Sequence, residues 1–342
     1  MLPCQEDNRS FFEKLQSVEG LDLRDNRGKR HDLAVVLVGV VIALLSNRDG
    51  NLSSIHRHLK NHYERLVFCL GAEPKRAVSR SQLPLILGAV SVTVFDRMMF
   101  EHYGIKLDAA ARQWFAIDGK ELCGSIESGK RRGEAVVQAV SHNSRQVAAQ
   151  DYYAGDKESE VPVVRKLLAA AGLASQKISL DALHCKPVTL EIISQNKGRY
   201  VVGLKENQKE LKKQVERASA NQSFLAELST LEKGHGRIEA RRYEFYDLLE
   251  LKKVQRWQSC QIRTAIKVKR ERTELKNGKK SMEESYYLSN IVGDYEELAE
   301  AIRNHWQVET NNHIRDVSLK EDEMRSKKSS YSAQWQECGR LP

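Results

Sequence analysis

Proline is scarce in this chain, six in 342 residues, so no Pro-rich linker separates domains and boundaries have to be read from changes in hydrophobic period. Cysteine is as scarce and is dispersed: Cys4, Cys69, Cys123, Cys185, Cys260 and Cys338 contain no C-x-x-C pair. That excludes a zinc ribbon and a disulfide framework, and fits the reduced thiols of a cytoplasmic protein. Long apolar runs are missing too. The longest, Leu33 to Leu45, has 13 residues, short of the roughly 20 that a bilayer span needs. The first ten residues carry acids where an export signal carries bases. No internal repeat or low-complexity tract is present, and neither a membrane nor an export role is expected.

What the chain does have is positive charge in one place. Lys plus Arg number 55 against 46 acids, a net of +9, within an otherwise ordinary globular composition of 41% hydrophobic and 30% charged residues. Between Leu251 and Lys280 there are eleven basic residues and two acids, so this stretch carries the whole excess. Charge gathered in one segment points to a groove wall or arm that meets phosphate; the plain alternative is a solvated basic hairpin.

Four stretches differ in period. From Phe11 to about Tyr103 the pattern is helical, with Leu33 to Leu45 as a buried helix and Asn51 as the N-cap of an amphipathic one. From Arg112 the period falls to two. Strands are predicted at Trp114–Ile117, Ala135–Val140, Gln146–Gln150, Ile178–Leu180 and Arg199–Leu204, and helices at Pro162–Ala171 and Val188–Ser194. The order β, β, β, α, β, α, β is that of a mixed α/β core. Lys205 to Leu231 reads as charged helix. Arg237–Leu251, Gln261–Val268 and Ser285–Ile291 read as strands of an inserted block, separated by the basic run. A last helix, N-capped by Asp294, is predicted from Tyr295 to about His313.

Three acids stand in unusual places. Asp118 follows the strand Trp114–Ile117 and Asp181 follows Ile178–Leu180, so each carboxylate sits at the carboxyl end of a core strand, and neighbouring strands would bring them together. Taken singly, Asp118-Gly119 is also the commonest hairpin-turn chemistry, and Asp181 could be a loop cap. Glu309 falls on the stripe Leu298, Ile302, Trp306, Glu309, His313 of the last helix, which should face the core. A carboxylate there needs a cation, either a bound metal or a structural partner such as Arg303 or His305. Three carboxylates without a Cys or His set suit Mg²⁺ or Mn²⁺, and two such ions can drive in-line displacement at a phosphodiester.

Two other motifs carry less. Gly124 to Arg131 spells G-x-x-x-x-G-K-R, but a P-loop needs Ser or Thr where Arg131 stands. His58 and His62 are one helical turn apart and lack a third zinc ligand.

Five segments, in order, resemble the signatures of the H-repeat-associated family of insertion-sequence DDE transposases. They are Ala116-Ile117-Asp118-Gly119-Lys120, Leu180-Asp181-Ala182-Leu183-His184-Cys185, Leu204-Lys205-Glu206-Asn207-Gln208, His235-Gly236-Arg237-Ile238-Glu239-Ala240-Arg241 and Arg303-Asn304-His305-Trp306-Gln307-Val308-Glu309. The resemblance runs from about Phe11 to Lys328. It implies an α/β fold with an RNase H-like mixed sheet, an all-β insertion and a helical N-terminal domain associated with DNA. The boundaries expected are residues 1–110 for the helical domain, 111–210 for the first part of the core, 211–292 for the basic insertion, 293–328 for the closing helix and 329–342 for a divergent tail.

The same resemblance implies that Asp118, Asp181 and Glu309 bind two Mg²⁺ or Mn²⁺ ions and cut and join double-stranded DNA at mobile-element ends. Lys120, Lys205, Asn207 and Gln208 then match positions that grip the DNA backbone or order the site. Arg263, Lys267, Lys269 and Arg270 of the basic run, with Arg303 and His305, complete the expected DNA contacts. The protein would work in the bacterial nucleoid as a homo-oligomer assembled on DNA. Departures are visible: where related transposases have Tyr-x2-Arg-x3-Glu-x6-Lys, this chain has Ile302, His305, Glu309 and Asp316, and Thr310 follows the Glu where Asn is expected. Two alternatives therefore stay open, a catalytically impaired DNA-binding descendant and a metal-dependent nuclease without strand transfer.

Overall fold

The computed structural model describes residues 9–47, 51–104, 107, 111–126, 128–155, 158–170, 172–248 and 255–318. The divergent tail after Ser329, and Lys252 and Lys253 of the basic run, lie outside the described residues. Contacts divide the chain into two units, one of Met1–Gly104, Leu122–Glu134 and Asn312–Pro342, the other of Ile105–Glu121 and Ala135–Asn311.

The first unit is built on five helices, α1 (Phe11–Ser17), α2 (Leu33–Asn47), α3 (Leu52–Leu70), α4 (Gln82–Gly88) and α5 (Val92–Tyr103). Their ends follow local chemistry. Ser10 and Glu13 form a reciprocal capping box at α1. Asn51 Oδ1 accepts from Ser53 N–H at 2.8 Å to start α3, and Gly71 at φ 58° ends it. Leu37, Ile55, Leu59, Leu83 and Met98 are among the side chains that fill the core between these helices.

The second unit holds a nine-stranded mixed sheet in the order β3-β2-β1-β4-β5-β9-β8-β7-β6. The strands are β1 (Trp114–Glu121), β2 (Glu134–Ser141), β3 (Val147–Ala154), β4 (Lys177–Leu180), β5 (Arg199–Leu204), β6 (Ala226–Gly234), β7 (Arg237–Asp247), β8 (Thr264–Glu274) and β9 (Lys280–Ser289). Helices α6 (Glu160–Ala170), α7 (Pro187–Gln195), α8 (Lys209–Asn221), α9 (Tyr295–Asn304) and α10 (Trp306–His313) accompany them. β1, β4 and β5 are parallel, as the intervening helices require, and β2 and β9 pair antiparallel on either side. This is the RNase H-like order expected from the sequence.

Alternation decides the two faces. Phe115, Ile117, Ile178, Leu180, Tyr200 and Val202 point to one, packing with Val164 and Leu168 of α6, Leu190 and Ile193 of α7 and Val215 of α8. Val201, Tyr243, Phe245 and Ile266 point to the other, under Leu298 and Ala301 of α9. Ala116 and Val140 lie on that second face too, against Val308 of α10.

Three local expectations fail for physical reasons. Residues 226–231, the end of the stretch read as charged helix, belong to strand β6 (Ala226–Gly234), whose side chains are nearly all exposed and so show no apolar alternation. The basic run is not a loop between strands: β8 continues through it to Glu274. Finally, the last helix breaks at His305. The break moves α10 out of phase with α9, so Val308 is buried while Trp306 and Glu309 are exposed.

Candidate active site

β1 and β4 run parallel in a register that pairs Ile117 with Leu180. The next residues are Asp118 and Asp181, on strands about 5 Å apart. Both lie on the α9/α10 face: Asp118 alternates with Ala116, and Asp181 with Ser179. The two-residue period that predicted these strands also brings the two acids side by side. Asp118-Gly119 is not a turn, because β1 continues to Glu121.

The two carboxyls have opposite environments. Burial first, then the like charges of Glu160, Asp181 and Glu309, push Asp118 up to about 7. Burial also opposes ionisation of Asp181, but the backbone N–H of Ala182 and the Lys205 ammonium, 3.3 Å from Oδ1, outweigh it and lower that carboxyl. Glu309 contributes from α10, which is held over the sheet by Val308 and by Asn311, whose Nδ2 donates to Arg145 O at 3.1 Å. Asp181 and Glu309 line a cleft of about 730 Å³, together with Lys205, Arg241, Arg270, Arg303 and His305. Asp118 is half-buried and does not line it.

A buried polar chain ties the helix break to the sheet. Ser179 Oγ is 2.9 Å from His142 Nε2 and 2.9 Å from His305 Nδ1. Burial lowers both imidazoles, His142 to about 3 and His305 to about 4, so both are neutral at pH 7. His305 thus stands four residues before Glu309 as a hydrogen-bonding group, not as a cation for phosphate.

The other expected DNA contacts divide. Lys205 and Arg263 are exposed. Asn207, though exposed, and buried Gln208 both hold the loop after Asp181: Asn207 Nδ2 donates to Ala182 O at 2.6 Å and Gln208 Nε2 to Cys185 O at 2.8 Å. Gln208 and Lys120 are buried, 7% and 8% exposed, so neither offers its polar end to a passing backbone. Of the two roles open to Asn207 and Gln208, ordering the site is the one their contacts fit. Truncating Gln208 to Ala would strand the Cys185 carbonyl and is expected to cost about 1–3 kcal/mol of stability, measurable by urea unfolding.

The basic run is largely matched by acids on the neighbouring strands. Lys267 pairs with Glu284 at 3.2 Å, Lys269 with Glu244 at 2.9 Å and Arg272 with Glu239 at 3.0 Å, while Arg270 pairs with Glu283. Arg303 is bound to Glu232 at 2.9 Å. Among the described residues, Lys267, Lys269, Arg270 and Arg272 of the run stand on β8 in a cross-strand charge ladder. Sequence counting missed this because the partners lie on other strands, 25 residues away for Lys269 and Glu244.

The donor set at the strand ends is all carboxylate oxygen, which suits a hard dication. The surplus negative charge felt by Asp118 is what such an ion would relieve. Among the described residues, no three His, Cys, Asp or Glu side chains are yet grouped closely enough to hold a metal ion. Glu160, which accepts from His184 three residues past Asp181, went unnoticed in the sequence.

Residues 91–335 match the family described as "Transposase DDE domain". Of curated proteins, "Putative transposase YncI" of Escherichia coli O157:H7 is 29% identical over 257 residues, 72% of this chain and 64% of that protein. From Escherichia coli K12, "Putative protein YbfL" is 28% identical over 63% of this chain and 59% of its own length. "H repeat-associated putative transposase YhhI" of the same strain is 27% identical over the same shares, 63% and 59%. The match therefore spans about three-fifths of the length of these three relatives.

Proposed function

The chain belongs to the transposase DDE-domain family, in its H-repeat-associated branch, and we propose that it cuts DNA strands at the ends of a mobile element and joins the freed 3′-hydroxyls to target DNA. In this reading Asp118, Asp181 and Glu309 are the acids that bind two Mg²⁺ or Mn²⁺ ions. The observation that carries it is the register of β1 against β4, which sets Asp118, within β1, beside Asp181, just past the end of β4, on the face that α10, with Glu309, covers.

The family carries divalent-metal dependence in general. When bound, such ions would polarise the phosphoryl group, activate the attacking water or 3′-hydroxyl and stabilise the leaving oxygen. The protein's own part is positioning and charge. Lys205 holds Asp181 ionised and oriented. Asn207 and Gln208 fix the loop behind it, and the His142–Ser179–His305 chain seats the break that leads to Glu309. No protein nucleophile is needed, so no covalent protein intermediate is expected.

Double-stranded DNA is the proposed partner. Four free cations at Arg263, Lys267, Lys269 and Arg270 would together contribute about 3.6 to the slope of log K against log salt, at about 0.9 per phosphate contact. Because three of them are paired to acids, replacing all four by Gln is expected to lower the slope by less than half of that, measured by fluorescence anisotropy between 50 and 200 mM salt at each protein form. A full loss would mean that the pairs open on DNA.

A second reading is favoured by one observation: Glu309 is exposed and not gathered with the two aspartates. In that reading the protein binds DNA without cutting it. A nicking and strand-transfer assay on DNA carrying the element's ends, with Mg²⁺ or Mn²⁺, separates the two. Metal-dependent cleavage followed by joined products supports the first, cleavage without joining marks a nuclease, and binding alone supports the second.

A further inference from the structure

On β7 the residues of one face run Arg237, Glu239, Arg241, Tyr243, Phe245. Tyr243 and Phe245 are buried in the core under α9, and the charged positions lie towards the hairpin with β6. Three side chains from three elements meet there. The Glu232 carboxylate of β6 accepts from Arg303, in the last turn of α9, through a fork: Nε donates to Oε1 at 3.3 Å and Nη2 to Oε2 at 2.9 Å. Arg241 Nη1 donates to the same Oε2 at 3.2 Å. All three residues line the cleft that holds Asp181 and Glu309.

The three are not equivalent. Arg241 is 9% exposed and keeps Glu239 on its other terminal nitrogen, so it stays aimed whether or not Glu232 is present. Arg303 has no second acid partner among the described residues. Two guanidiniums that converge on one point repel, and burial first, then the charge of Arg303, lower Arg241. The place between them needs an anion. Its occupant, Glu232, is exposed and stands on the edge strand β6, where an ion pair contributes little to stability. A plain surface tie between β6 and α9 accounts for Arg303 with Glu232. It does not account for a buried guanidinium that is held by one acid and points a second nitrogen into the cleft at the same spot. Arginine forks fit carboxylate and phosphate oxygens alike, so exchange of one monoanion for another keeps both guanidiniums satisfied.

We propose that Arg241 and Arg303 form a subsite for a DNA backbone phosphate, that the Glu232 carboxylate fills it in the DNA-free protein, and that the phosphate displaces Glu232 on binding. This rests on the reading of DNA as the ligand of the cleft. The incoming phosphodiester takes over the N–H donors, and Glu232 turns out to water from its edge strand. Arg303 precedes Glu309 by six residues, so a phosphate held there sets the strand beside the helix that carries this acid. The His235-Gly236-Arg237-Ile238-Glu239-Ala240-Arg241 segment acquires a purpose: its turn brings Glu232 back opposite Glu239, the acid that orients Arg241.

The test is the affinity of the full chain for a labelled DNA duplex of about 30 base pairs, read by fluorescence anisotropy in EDTA. Glu232→Gln should bind at least about threefold more tightly than wild type, because no carboxylate competes for the two arginines. Glu227→Gln removes the same charge from the same strand, but its partner is Arg242, outside the cleft, and it should gain less than about twofold. Arg303→Gln should weaken binding, and Glu232→Gln added to it should gain less than it does alone. Glu232→Asp keeps the charge on a stem too short for the fork; it should also tighten binding, and it carries the test if Glu232→Gln fails to fold. Binding by the folded Glu232 variant that is unchanged, weaker, or improved only as much as in Glu227→Gln overturns the displacement and leaves DNA as the ligand. A folded wild-type chain that binds no duplex instead overturns the reading on which the proposal rests, and the proposal with it.

Discussion

Asp118→Asn is expected to lower metal-dependent strand cleavage by about 10³-fold or more, while DNA affinity changes less than about threefold. The size follows from the chemistry: metal-borne charge stabilisation supplies several kcal/mol to a phosphoryl-transfer transition state, and each 1.36 kcal/mol is a factor of ten in rate. Binding should survive because Asp118 is half-buried and does not line the cleft. Asn preserves shape and hydrogen-bonding capacity, so a loss of cleavage in a folded variant reports the lost charge. Asp181→Asn should behave alike, with one addition: the Lys205 ammonium loses its partner. Single-turnover cleavage beside anisotropy binding measures both. Retained cleavage in either variant would remove that residue from the catalytic set.

The second large effect is on stability, and its sign is the reverse of the usual carboxylate. Asp118 titrates near 7 in the folded chain and near 3.8 unfolded. Between those values the native state binds more protons at Asp118 than the unfolded state, so this group's contribution to stability falls as pH rises from about 4 to 7 and levels off above, against the opposite contribution of His142 and His305, whose lowered values make stability rise over the same range. Asp181, whose carboxyl is lowered, acts only below its unfolded value and in the opposite sense, losing stability as pH falls under about 4. Asp118→Asn should therefore leave stability unchanged near pH 4 and raise it by about 1–3 kcal/mol at pH 8, the upper figure reduced from the full shift by partial exposure. A divalent ion bound by the wild type should recover the same free energy at pH 8 and do nothing comparable for the variant. Urea unfolding at pH 4, 6 and 8, with and without Mn²⁺, reads all three. An Asp118→Asn variant that gains nothing over wild type between pH 4 and 8 would contradict the crowding of acids around Asp118.

How much of this was legible in the sequence depends on whether the signal was local. β1, β4 and β5 were readable because their apolar runs are short and buried; Asp181 follows β4 as expected, while Asp118 lies inside β1, which runs on to Glu121. Nothing in the sequence states that β1 and β4 are adjacent, yet a β-β-β-α-β-α-β order leaves few alternatives. β6 was unreadable because exposed Glu, Lys and Ser residues alternate with nothing buried. The charge of the basic run was counted correctly, but its meaning depended on cross-strand acids such as Glu244 and Glu284 that only pairing reveals. At the last helix a continuous stripe was drawn through Trp306 and Glu309. The break at His305, held by Ser179 from another strand, moved the buried position to Val308. Glu160 was missed for the same reason, since 42 residues separate it from Asp118 and only the fold brings them together.

The charge of the chain also has a different meaning once the sheet is known. β8, which carries four of the eleven bases of the run, extends the same sheet as β1 and β4, through β9 to β5. Its cations are held in pairs that tie β7, β8 and β9 together. DNA affinity is then expected to come from the cleft, where Lys205 is exposed beside Asp181, acting with the metal site, more than from a free basic arm.

The central claim is metal-dependent DNA cleavage and joining, and it is tested most directly with the wild-type chain and a labelled duplex carrying the element's end. The account predicts nicks with free 3′-hydroxyls at the end of the element in Mn²⁺ or Mg²⁺, joined products when target DNA is present, and neither in EDTA. DNA bound with nanomolar to micromolar affinity but left intact at every metal concentration, by a chain whose folding is verified, would contradict it.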